Sequence, residues 1–151
     1  MFSVQVENLT ESMPEMMPLL PLHYEELALD KDKVPLSPQW HVYEQRDANG
    51  EIIFVTVRDK GELIGYFVGF IAPGLHYSTC LTCIMDIFYV HPEHRGGNAG
   101  FLLFEFVEKE LKRRNVQRVF VGSKVHLDAS WLFERLGYNR VEIYYSKWLG
   151  E

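Results

Sequence analysis

Apolar and polar positions alternate at the start of the chain, in "FSVQVENL", and this period of two predicts a first, half-buried strand. A helical stretch follows from about Thr10 to Leu29, with Pro14, Pro18 and Pro21 expected to cut it into irregular pieces. "SPQWHVYEQRD" predicts a short second helix, with Ser37 as N-cap and Pro38 at its first position. "EIIFVTVRDKGELIGYFVGFIA" predicts a hairpin turning around Asp59, Lys60 and Gly61. Another strand is expected from about Cys80 to Val90.

Beyond it the period changes. In "NAGFLLFEFVEKELKRRN" the residues Leu102, Leu103, Phe106, Val107 and Leu111 fall on one helical face. "VQRVFVGS" reads as a short buried strand. "DASWLFERLGY" reads as a helix between an Asp128 N-cap and a Gly137 C-cap, and "RVEIYYSKWL" as a closing strand. An antiparallel meander followed by strand–helix–strand–helix–strand predicts an α/β (α+β) fold, its sheet mixed and flanked by helices. No repeat or linker interrupts the chain, so residues 1–151 are expected to form one domain.

Composition narrows the function. The chain has 151 residues, 47% of them apolar, enough for a real core. A formal net charge of −6 argues against nucleic-acid binding, which needs a basic face. Lys109, Lys112, Arg113 and Arg114 suit the C-terminal end of a helix. No apolar run is long enough for a bilayer and the first residues lack a signal-peptide pattern, so a cytoplasmic protein without membrane contact is expected. Cys80 and Cys83 form a C-x-x-C, but residues three apart on a strand point to opposite faces and no second pair exists. They read as ordinary reduced cysteines. In "HPEH", Pro92 prevents helical spacing of His91 and His94 and no third ligand is evident, so no metal is expected.

The candidate chemistry lies in "VHPEHRGGNAGFLLFEF". Its glycines permit positive φ and close approach, and they lead directly into a helix start, whose free N–H groups favour an anion such as phosphate. Without a Lys-Ser/Thr ending, the loop is a poor P-loop. Within the apolar run Thr79–Tyr89, Asp86 is the only charged residue. Such a carboxylate is costly unless it is paired or used. Strand parity places it with Phe88 and Val90 on an unbulged strand; a structural, capping aspartate is the alternative.

The stretch "YVHPEHRGGNAGFLLFEFVEKEL" resembles the acyl-coenzyme-A loop of the GNAT superfamily of N-acetyltransferases, whose pattern is Gln/Arg-x-x-Gly-x-Gly/Ala. "WLFERLGYNRVEIYY" is similar to that family's closing helix and strand. The resemblance covers about Glu51 to Trp148, and the short chain and Leu75-His76-Tyr77 also resemble phage-encoded members. It implies the GNAT fold, with a largely antiparallel sheet of six to seven strands. It also implies acetyl transfer from acetyl-CoA to a primary amine of a small molecule or protein, and no metal.

The resemblance further implies that the amides of Arg95, Gly96, Gly97, Asn98, Ala99 and Gly100 hold the pyrophosphate. A backbone N–H near Phe88, Tyr89 or Val90 would serve the thioester carbonyl, and Asp86 would be the base, acting through water. Asn98 replaces the pattern's middle glycine, where its tolerance of left-handed backbone would preserve the turn. The family's frequent tyrosine acid is matched by Phe133. Tyr144 is the leading substitute, with Tyr145, His76 and His126 as others; an unassisted thiolate is the remaining option. His126 matches an asparagine that contacts the pantetheine arm, and His76 and Tyr77 would border the acceptor. The acidic residues Glu11, Glu15, Glu25, Glu26, Asp30 and Asp32 would draw a cationic amine, and a homodimer is an open expectation. The competing reading is a GNAT-fold module that binds coenzyme or a partner with weak catalysis.

Overall fold

The computed structural model describes residues 2–151. Strand β1 (Phe2–Val6) is followed by helices α1 (Leu9–Met16), α2 (Leu20–Leu27) and α3 (Trp40–Ala48). The meander β2 (Ile52–Asp59), β3 (Glu62–Pro73) and β4 (Leu81–Val90) comes next, then α4 (Ala99–Arg113), β5 (Arg118–Phe120) and α5 (Ser130–Arg135). The five strands lie in sequence order; β1 to β4 run antiparallel, and β5 joins β4 in parallel.

Alternation, shifted once in β3 by a bulge that leaves Ile64 without a partner on β2, sorts the sheet into two buried faces. Ile53, Val55, Val57, Ile64, Phe67 and Cys83 meet Leu103, Phe104, Val107 and Leu111 of α4 and Leu132 and Phe133 of α5. Ile52, Phe54, Leu63, Tyr66, Val68 and Tyr89 meet Leu9 and Met16 of α1 on the other face. The β2–β3 turn is built as its residues demand: Lys60 and Gly61 both take positive φ, 51° and 86°, between the paired Asp59 and Glu62.

Gly69 is required by packing. A Cβ there would meet Cys83 Sγ at 2.6 Å and the Phe67 ring at 2.8 Å. Gly69→Ala is therefore expected to cost about 1–3 kcal/mol in a urea titration. An unchanged midpoint would show that this layer yields.

Several expectations are corrected. The helix α3 begins at Trp40, beyond Ser37 and Pro38, and carries no side-chain cap. Asp128 lies one residue before the N-cap Ala129, although its carboxylate accepts from the Ser130 amide at 3.0 Å. The sheet has five strands rather than six to seven, because "RVEIYYSKWL" forms no ladder among the described residues; every residue from Asn139 to Glu151 is exposed. No described helix is long and apolar enough to cross a membrane.

Candidate active site

The site arises where β4 and β5 separate. Their pairing covers only Thr82–Ile84, so from Met85 onward the second edge of β4 has no strand beside it. A cavity of about 590 Å³ opens there, bounded by β4, the glycine turn, the start of α4, residues 122–124 and the helices α1 to α3.

At the mouth of the cavity, α4 begins with Asn98 as its N-cap, and the first intrahelical bond runs from the Leu102 N–H to the Asn98 carbonyl at 2.9 Å. The amides just before Leu102 therefore have no helical acceptor, and such an end favours negative charge. The sequence reading placed the tolerant backbone at Asn98; the structure places it at Gly96, with φ of +87°, whereas Asn98 has φ of −106°. Gly96, Gly97 and Gly100 line the cavity; Asn98 and Ala99 do not. Ala99 is buried beneath the turn. The amide of Arg95 closes onto the Pro92 carbonyl at 3.2 Å. Its side chain is also engaged, donating to the Val90 carbonyl at 2.8 Å and to both oxygens of Glu26 at 2.6 and 2.7 Å. Arg95 thus ties α2 to the turn, and the bidentate pair holds the Glu26 carboxyl below its usual range.

Asp86 sits on a β-bulge. Val68 pairs with Ile87 and Gly69 with Met85, leaving Asp86 as the extra residue. A bulge re-aims the side chain it carries. The expected shared face with Phe88 is therefore overturned: Phe88 packs edge-on against Phe104 of α4, 4.8 Å between ring centres, while Asp86 meets α3 on the opposite side. There the Tyr43 hydroxyl donates to Asp86 Oδ2 at 2.5 Å. Burial raises the Asp86 pKa, partly offset by the Tyr43 hydrogen bond and the Arg46 charge. Tyr43 is pushed up as well, by burial first and by the carboxylate second, so it stays a donor.

Tyr43 and Arg46 were missed from the sequence. Their signal is a stripe at three-residue spacing along α3: Trp40 stacks on Tyr43, Tyr43 on Phe70, and the Arg46 guanidinium lies 4.4 Å from the Phe70 ring centre. His23 was also missed. Its Nδ1 lies 3.0 Å from the Tyr66 hydroxyl and its ring 4.9 Å from that of Tyr89. The Tyr89 hydroxyl is buried in the cavity wall with no hydrogen-bond partner in the structure.

Burial pushes the His23 pKa from 6.5 down to about 4. Between those values the unfolded chain holds the extra proton, so stability should fall as the pH drops from 6.5 towards about 4. His23→Leu is expected to lose less stability than the wild type over that interval, measured by urea titration at several pH values. Equal losses would rule His23 out as the cause.

Other expected site residues are not brought together. His126 is exposed and outside the cavity lining, and His76 and Tyr77 are exposed and pack on each other. Tyr77 also lies under the Arg118 guanidinium at 5.2 Å. Tyr144 is 87% exposed on the unpaired C-terminal stretch, outside the cavity lining, and Phe133 is buried against Phe104. Cys83 is a buried free thiol pushed up to about 12. No cluster of three or more metal-ligating side chains occurs among the described residues.

No curated protein matches the chain significantly. Solved structures share its fold. A ribosomal-protein-alanine N-acetyltransferase from Brucella melitensis biovar Abortus 2308 is 18% identical, covers 99% of this chain and 100% of its own, and has a TM-score of 0.74. An aminoglycoside acetyltransferase from an uncultured soil metagenomic sample is 15% identical over 99% of both chains, with a TM-score of 0.77. A predicted acetyltransferase with acetyl-CoA from Clostridium acetobutylicum is 13% identical over 99% of this chain and 97% of its own, at 0.73. The profile of the acetyltransferase (GNAT) family matches residues 15–138, and the chain belongs to that family.

Proposed function

We propose that this protein transfers an acetyl group from acetyl-CoA to a primary amine, with Asp86 as the base acting through water. The observation that carries the reading is the splay of β4 from β5, which opens one continuous cavity onto both the α4 amide end and the Asp86 carboxylate. Acetyl-CoA would supply the activated thioester. The residues present fit it: Gly96, Gly97 and Gly100 leave room at an anion-favouring helix end, and the open edge of β4 near Phe88, Tyr89 and Val90 offers main-chain groups to a polar, extended arm.

The acceptor side falls to the N-terminal helices. Tyr43 orients the Asp86 carboxylate, and burial makes that carboxylate a stronger base than a solvated one. A primary amine reaches the cavity protonated and must lose a proton before it attacks; Asp86 takes that proton along a water. The Tyr89 hydroxyl, kept protonated by burial, is a donor free to engage the acceptor or the departing sulfur, a role Tyr144 cannot fill from its exposed position.

A thermal-shift titration tests coenzyme use. Acetyl-CoA and free CoA are both expected to raise the melting temperature progressively with concentration, since both carry the pyrophosphate and the arm. No shift at millimolar ligand would overturn the reading.

A further inference from the structure

We propose that the acceptor is a small molecule carrying a single amine on an apolar, aromatic body, and that Trp40 and Leu36 select for it. The inference rests on the acetyl-transfer reading above and names its substrate class. Charge carries it first. Among the residues that positions 9–43 contribute to the cavity wall, Glu26 is the only carboxylate, and Arg95 holds both of its oxygens. Glu11, Glu15, Glu25, Asp30 and Asp32, the acidic residues expected to draw a cation, lie outside the wall. Glu15 is paired with Arg58 and Glu25 with Lys31. Of the remaining carboxylates in the wall, Asp128 is taken up by Ser123 and Ser130, whereas Asp86 holds only the Tyr43 hydroxyl, on Oδ2. Arg95, Lys124 and Arg135 put three cations into the same wall. One ammonium therefore finds an acid, and a second finds none.

Shape carries it further. From the Asp86 carboxylate the Tyr43 ring leads to Trp40, the first residue of α3, with 5.9 Å between ring centres. Both rings line the cavity, as do Leu20 and Leu27 of α2 and Leu36 of the connection between α2 and α3. An amine held at Asp86 would lay its carbon body along these surfaces, and a planar ring suits the two aromatic faces. A polyamine or an aminosugar would bring further ammoniums against the same apolar groups. Ring faces offset only a small part of the hydration that a buried ammonium loses.

Steady-state kinetics with 2-phenylethylamine and spermidine, each followed by thiol release from acetyl-CoA, test this. The wild type is expected to give a kcat/KM about tenfold or more higher for phenylethylamine. Trp40→Ala should remove about tenfold of that value, through KM rather than kcat, and keep the coenzyme-dependent rise in melting temperature. Leu36→Glu lies outside every helix and strand and should move the preference towards spermidine, so misfolding of one variant leaves the other decisive. A wild type that prefers spermidine, or a ratio unchanged in the folded variants, overturns the proposal and leaves acetyl transfer standing. If neither amine releases thiol, thermal shift with free CoA present decides. A further rise with phenylethylamine and none with spermidine upholds the apolar acceptor pocket although transfer fails. No rise with phenylethylamine overturns it.

Discussion

Gly100→Glu is expected to abolish acetyl-CoA binding while leaving the protein folded. A Cβ at position 100 would meet Leu132 Cδ2 at 3.4 Å and the Phe88 ring at 3.8 Å, ordinary contacts that the core can accommodate. The added carboxylate would lie in the first turn of α4, where negative charge suits the helix itself. The same charge would occupy the anion end and repel phosphate. Melting temperature without ligand should change by a few degrees at most, whereas the coenzyme-dependent shift should vanish. Normal coenzyme binding by the folded variant would place the phosphate site elsewhere.

Asp86→Asn is expected to lower turnover by about 10²-fold or more with coenzyme affinity unchanged. The amide keeps nearly the same shape and can still accept from Tyr43, so the bulge and the helix contact survive. What disappears is the group that accepts a proton. The acidic limb of the pH–rate profile should go with it, and in the wild type that limb should lie above the ordinary aspartate range, because burial raises the Asp86 pKa. Tyr43→Phe provides a control. Without its donor the carboxylate loses the bond that lowers its pKa, so the limb should move further up while part of the activity remains. A structural Asp86 predicts the reverse for Asp86→Asn: a lower melting temperature and near-normal turnover in the molecules that stay folded.

The order of elements was legible because it rests on local rules. Alternation marks the strands, a 3.6-residue period marks α4, and Lys60-Gly61 meets the needs of a two-residue turn. The turn into α4 was legible for the same reason, since glycines followed by an apolar helical face carry their meaning locally. What failed was long-range. The Asp86 bulge is set by the pairing of β4 with β3, and "CIMDIFYV" reads as one unbroken apolar strand until that register is known. Tyr43 reaches Asp86 across 43 positions of sequence, so no spacing rule connects them. "RVEIYYSKWL" has strand propensity, but propensity creates no ladder without an edge to pair with, and the chain leaves it exposed.

The acceptor determines whether the cavity is an enzyme's. Incubating the protein with acetyl-CoA and a panel of primary amines, small molecules and lysine-bearing or free N-terminal peptides alike, and following thiol release together with the acetylated product by mass spectrometry, tests this most directly. At least one acceptor class is expected for which amide and thiol appear in equal amounts, with the rate falling about 10²-fold in Asp86→Asn. Coenzyme-dependent stabilisation with no thiol released for any amine would contradict it and leave a protein that binds coenzyme without transferring its acetyl group.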